Sequence, residues 1–249
     1  MNELKKILAG TLILFSLAAG SALDAQVAVK DSVGKQRREF RLSRQVAPVT
    51  LILAGLAVTG HPAKEKLQDM FPRTNTRVDN YLQWSPGFVM YTADIFGVKH
   101  KNNAFNQTKY LIISQLATSG IVQLLKYTTN VTRPNGGTHS FPSGHTSNAF
   151  AGATVLFHEY SESCLPVAIS GYVLSSATGV LRVTNNRHWV PDVLVGAGIG
   201  IIVTNLVYYI EPLKNWDPFK LSAKRNITLL PSIDTGNNSY MFTVIVKMK

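Results

Sequence analysis

The sequence predicts an all-α fold, an antiparallel helical bundle with a small C-terminal β-hairpin. One observation behind this is a succession of apolar segments of helical length between 110 and 210, joined by short polar connections that make consecutive helices antiparallel neighbours. A second is the Gly, Pro and Ser-rich loop from Arg133 to Ser143, which separates two of those segments. The third lies near the C-terminus, where Tyr240, Phe242, Val244 and Val246 alternate with less apolar neighbours. They follow Asp234-Thr235-Gly236-Asn237-Asn238, which reads as the turn of a hairpin begun at Asn226–Leu230. With 249 residues, 45% of them hydrophobic and 16% charged, the composition lies between that of soluble and membrane proteins.

Taken in order, Met1 to Ala25 has Lys5 and Lys6, an uncharged stretch, and small residues before Gln26. This is the layout of a secretory signal (1–25) cleaved after Ala25. The next stretch, 26–48, is expected to be a basic arm, since Lys35, Arg37, Arg38, Arg41 and Arg44 are interleaved with Phe40 and Leu42. It suits solvent or an anionic membrane surface. Residues 49–215 are expected to form the main domain and 216–249 a tail with the hairpin. Val49–Thr59 is apolar but short for a membrane span. Residues 62–81 read as mixed helix and loop, and Pro86–Val98 as a short helix.

The polarity of the four following helices matters most. Tyr110–Leu125 ends beside Lys126, and Thr146–Phe157 begins beside His145. Leu165–Leu181 ends beside Arg182, and Pro191–Ile210 begins just past His188. In an antiparallel arrangement these residues gather at one end of the bundle. Pro191 suits a first helical turn and Asp192 its positive end. Gly196, Gly198 and Gly200 suggest close helix approach.

Lys and Arg number 25 against 14 Asp and Glu, giving a formal charge of +11, so the field of the protein favours anions. Recognised nucleic-acid motifs are lacking, and nucleic acid is not expected as a partner. Cys164 is the single cysteine, which excludes an intramolecular disulfide. A glycan on the Asn130-Val131-Thr132 triplet would obstruct the basic cluster, so such triplets read as chance and the chain as bacterial.

Splitting a phosphate ester without a metal needs cations around the equatorial oxygens, a nucleophile in line, and an acid for the leaving oxygen. Lys126, Arg133 and Arg182 supply positive charge, the arginines with forked geometry. Ser143 and Gly144 open a helix whose amides can bind an anion. His188 and Asp192 stand one helical turn apart, within reach of each other. No histidine and carboxylate spacing suggests a zinc site, so neither metal nor cofactor is expected.

The pattern Lys126 to Arg133-Pro134, Pro142-Ser143-Gly144-His145 and Arg182 to His188 to Asp192, with six, five and three intervening residues, resembles the signature of the PAP2 (type 2 phosphatidic acid phosphatase) superfamily. The resemblance implies a phosphoric monoester hydrolase. His188 would take the phosphoryl group, Asp192 would orient it, and His145 would protonate the leaving oxygen and later activate water. Lys126, Arg133, Ser143, Gly144 and Arg182 would bind phosphate. One departure is Leu181, where the family commonly has serine; altered phosphate support is expected there. Thr138, His139 and Arg187 are either substrate contacts or plain loop residues.

Leu165–Leu181 and Val193–Ile210 lack charge and are about long enough to enter a bilayer. This favours an anionic membrane lipid as substrate, acted on in the bacterial envelope, either from the inner membrane with a periplasm-facing site or within the periplasm. No obligate protein partner is evident. Lipid A is the leading substrate by resemblance. Undecaprenyl pyrophosphate, phosphatidylglycerophosphate and the broad soluble acid phosphatases are alternatives, as is vanadium haloperoxidase chemistry, which the same constellation can support.

Overall fold

The structure, a computed structural model, describes residues 43–60, 62–210, 212, 213 and 216, and the backbone of 227–234 and 239–246. The expected signal segment and most of the basic arm lie outside the described residues. The chain divides into two units, 1–209 and 210–249.

The first unit is helical. Its elements are α1 (Ser43–Thr59), α2 (Ala63–Asp69), α3 (Val78–Leu82), α4 (Ser85–Ile95), α5 (Ala104–Thr129), α6 (Gly144–Tyr160), α7 (Leu165–Thr184) and α8 (Val190–Tyr209). Helix α1 starts inside the stretch expected to be an arm and takes in the whole Val49–Thr59 segment. It packs along α8, which also touches α5 and α6. The observed α5 is longer at both ends than the apolar run suggested, because capping rather than hydrophobicity sets its limits. Asn103 accepts from the Asn106 amide at 3.0 Å, and Asn130 ends the helix in the left-handed region at φ 44.

In the second unit, β1 (Ile227–Asp234) pairs antiparallel with β2 (Ser239–Val246), with Ile227 opposite Val246.

Inside the helical unit, α8 can be central because of its small residues. A Cβ on Gly200 would lie 2.3 Å from the Ser147 carbonyl oxygen, and one on Gly196 would lie 2.7 Å from that of Ser143. Both glycines therefore let α8 approach the first turns of α6 closer than any side chain permits. Val122, Phe141, Val195, Ile199 and Val203 form a core cluster between α5, α8 and the loop before α6. Val180, Val183 and Val193 form another where α7 meets α8. Phe150 and Leu156 on α6 are fully buried, worth roughly 2 kcal/mol each.

The far end of the bundle is closed by polar contacts. The buried Glu159 carboxylate accepts from the Asn102 amide at 2.9 Å, from Asn102 Nδ2 at 2.7 Å and from the Tyr208 hydroxyl at 2.5 Å. This leaves the other end, where α5 and α7 finish and α6 and α8 begin, to carry the charged motifs.

Candidate active site

Lys126 lies in the last turn of α5. Its Nζ donates to the His139 carbonyl at 2.8 Å and to that of Ser140 at 3.3 Å, tying the helix end to the loop that follows. That loop is internally braced: the Arg133 amide donates to the Gly137 carbonyl at 2.7 Å and the Ser140 amide to that of Val131 at 2.7 Å. Arg133 is thus held near Lys126 by backbone. The chain then passes the cis Phe141–Pro142 peptide into Ser143, the N-cap of α6. Ser143 makes no side-chain bond to the amides of the first turn; its hydroxyl pairs with that of Thr146 at 2.9 Å. Its backbone amide donates to the Asp192 carbonyl at 3.0 Å, joining the second motif to the third.

The third motif turns tightly. The amides of Arg187 and His188 both return to the Arg182 carbonyl, at 3.1 and 3.3 Å, so α7 ends by folding His188 back over Arg182. His188 and Asp192 are 2% and 1% exposed. Asp192 Oδ2 accepts from the Ser140 hydroxyl at 2.5 Å and from the Trp189 amide at 3.0 Å. Held by those donors, it stands 3.5 Å from His188 Nδ1, which is close enough for charge attraction but too long for a formed hydrogen bond. The other ring nitrogen, Nε2, is the one turned away from the carboxylate.

Electrostatics show that the motifs share one site. Burial, then Arg133 and Arg182, lower the Lys126 pKa to about 8, with Asp192 working against them. Burial lowers His188 to about 4, with Arg182 and Lys126 adding to it and Asp192 opposing. His145 also falls to about 4, through burial first and then the charges of Arg182, Lys126 and Arg133, with Asp79 working against them. Both histidines are therefore neutral at pH 7. Among the described residues, Arg133 Nε and Arg182 Nε are buried donors with no acceptor, and Asp192 Oδ1 is a buried acceptor with no donor. Unpaired buried arginine N–H groups are costly unless an anion completes them.

All eight sequence-predicted site residues thus lie at one end of the bundle. Leu181 offers Arg182 no hydroxyl. Instead, Arg182 Nη1 donates to Asp79 Oδ2 of α3 at 2.5 Å. His145 Nε2 meets Asn80 Oδ1 at 2.9 Å, and with that oxygen accepting, Nε2 carries the hydrogen. Asp79, Asn80 and Ser140 were missed by sequence reasoning: α3 lies in a polar stretch about a hundred residues from Arg182, and no spacing links it to a motif. Of the open loop residues, Thr138 and His139 bond each other at 2.9 Å, and Arg187 is exposed.

The stretch that carries these residues has likenesses among known proteins. The PAP2 superfamily model matches residues 107–216. A lipid A 1-phosphatase of Porphyromonas gingivalis is 37% identical over 174 residues, 66% of this chain, and this chain spans only 39% of that relative's length. The crystal structure of Aquifex aeolicus LpxE superposes with a TM-score of 0.42 at 24% identity, covering 64% of this chain and 93% of that one. The transmembrane PAP2 type phosphatidylglycerolphosphate phosphatase from Bacillus subtilis gives 0.42 at 22% identity, covering 68% and 98%. The stretch that matches the PAP2 superfamily model, 107–216, contains all three motifs.

Proposed function

We propose that this protein is a phosphatase that removes phosphate from a membrane lipid without a metal, through a phosphohistidine on His188. The observation that carries the reading is the gathering of Lys126, Arg133 and Arg182 about His145, and of Lys126 and Arg182 about a buried His188 beside Asp192, with two arginine Nε–H groups left without acceptors. Such a site is completed by a tetrahedral oxyanion such as a phosphate group.

In the first step, His188 Nε2 attacks phosphorus, a P–N bond forms, and the bond to the lipid oxygen breaks. A pKa near 4 keeps the imidazole unprotonated and nucleophilic. Asp192 stabilises the positive charge the ring then gains. His145 gives its Nε2 proton to the departing oxygen. The bound phosphate offsets the cations that depress His145, so the ring can hold a proton when the substrate is present. Water then attacks phosphorus, giving a proton to His145; a P–O bond forms, the P–N bond breaks, and phosphate and neutral His188 are released. Ser143, Gly144 and the first amides of α6 complete the phosphate cradle.

Lipid A is the favoured substrate, on the name of the relative from P. gingivalis. Membrane association is supported by α7 and α8, each 20 residues and apolar enough to cross a bilayer. Their most apolar windows are, however, 61% and 72% buried within the protein. Apolar surface is instead exposed on α1 (Leu53), α4 (Phe88, Ile95) and α5 (Ile112, Leu116, Leu124). We place the site at the periplasmic face of the envelope. Phosphate release by purified protein from lipid A, undecaprenyl pyrophosphate and phosphatidylglycerophosphate tests the substrate. Preference for lipid A is expected, and turnover of soluble esters alone would remove the lipid assignment.

A further inference from the structure

A buried carboxylate inside a cradle for anions needs an explanation. Asp79 is 2% exposed, and its Oδ2 holds Arg182 Nη1 at 2.5 Å. Its Oδ1 is held in turn by Asn185 Nδ2 at 3.1 Å, from the residue that caps α7 three positions after Arg182. Asn185 is itself fixed: Nδ2 also donates to the Thr76 carbonyl at 2.9 Å, and Oδ1 accepts from the Thr76 amide at 3.0 Å and the Thr74 hydroxyl at 2.8 Å. The Thr74 amide closes the set on the Thr184 carbonyl at 2.8 Å. The segment before α3 is thereby laced to the end of α7, and the carboxylate is clamped before any substrate arrives.

This bracing separates two possible roles. A carboxylate that stood in for phosphate would have to leave when phosphate bound, and its own partners would then have to break. Asp79 instead occupies only one end of the guanidinium and leaves Nε without an acceptor. We infer that Asp79 is a positioning residue for Arg182: it holds Nη1 so that the rest of the fork is presented to the phosphoryl oxygens. The inference rests on the phosphatase reading. Asn80, next in sequence, meets His145 Nε2, so one short helix touches both a phosphate-binding and a proton-transferring residue.

The test compares wild type, Asp79→Asn, Asp79→Glu, Arg182→Gln and the Asp79→Asn/Arg182→Gln double variant in kcat/KM and in vanadate affinity measured by calorimetry. Asp79→Asn should lower both by at least about tenfold, the scale of one charge-assisted hydrogen bond. It should change neither by more than about twofold in the Arg182→Gln background, because coupled residues are not additive. Asp79→Glu should restore part of the loss. Wild-type values for a folded Asp79→Asn, or an equal loss in both backgrounds, would overturn the inference, as would tighter vanadate binding, which marks a competitor. If Asp79→Asn does not fold, Asn185→Ala keeps the charge but frees the clamp and should show the same coupling to Arg182 in weaker form; additivity there overturns the inference too. A wild type that hydrolyses no phosphate ester but shows the coupling in vanadate binding would sink the phosphatase reading and leave the positioning role intact. Hydrolysis by wild type with no effect of Asp79→Asn does the reverse.

Discussion

At the scale of single residues, the proposed roles separate by what each substitution removes. Asp192→Asn should reduce turnover less than His188→Ala, since it disturbs orientation and charge but leaves the nucleophile. His145→Ala should slow esters of poor leaving groups far more than aryl esters, because only the former need a proton at the departing oxygen; equal losses would assign His145 to binding. In kcat/KM against pH, an alkaline limb near pH 8 should report loss of the Lys126 proton, and Lys126→Arg should move that limb beyond the measurable range. Folding stability should respond to His188 in the opposite direction. Its folded pKa lies near 4, below the ordinary value of 6.5, so the unfolded chain binds the proton more readily. The stabilisation is complete above about 6.5 and is lost as pH falls toward 4. A denaturation midpoint with the same slope over that window in wild type and His188→Gln would contradict it. The motif residues were legible because histidine, arginine and lysine at fixed spacing carry chemistry in their identity. Asp79 and Ser140 were not, because a single aspartate in a polar stretch, or a serine before a turn, takes its meaning only from what folding places beside it.

At the scale of elements, the order and polarity of α5 to α8 could be read from apolar runs and short connections, and with them the gathering of the motifs at one end. Helix limits could not: Asn103 and Asn130 extend α5 beyond its apolar stretch, and α1 reaches back to Ser43 through residues that look like an arm. The glycines of α8 suggested close packing, but only the structure shows that Gly196 and Gly200 face α6 at the turns bearing Ser143 and Ser147. Gly200→Ala should therefore cost about 1–3 kcal/mol, the usual range for overpacking. It should also lower activity by shifting the start of α6, and thermal unfolding with a parallel assay checks both. An unchanged midpoint would mean that α8 can retreat from α6 freely.

At the scale of the whole molecule, composition left open whether the two most apolar helices face lipid or form a buried pair. The structure favours a mixed answer: α7 and α8 are largely covered by protein, while α1, α4 and α5 carry exposed apolar side chains. Hydropathy alone does not report which helices end up surrounded by others. Apolar insertion resists salt, whereas attachment through surface charge is screened, so the protein should stay with membranes through high-salt and alkaline washing; release by salt alone would remove the integral reading. Every candidate site residue precedes residue 210, so a chain ending after Trp216 should keep its phosphatase activity, and its loss in a folded truncation would give the tail a catalytic part. The central claim is that His188 carries the phosphoryl group. It is tested most directly by quenching the purified enzyme during turnover of radiolabelled lipid phosphate and mapping the labelled peptide. An alkali-stable, acid-labile label on His188, together with no measurable turnover by folded His188→Ala, is the expected result. Label on another residue, or sustained phosphate release by the variant, would contradict it.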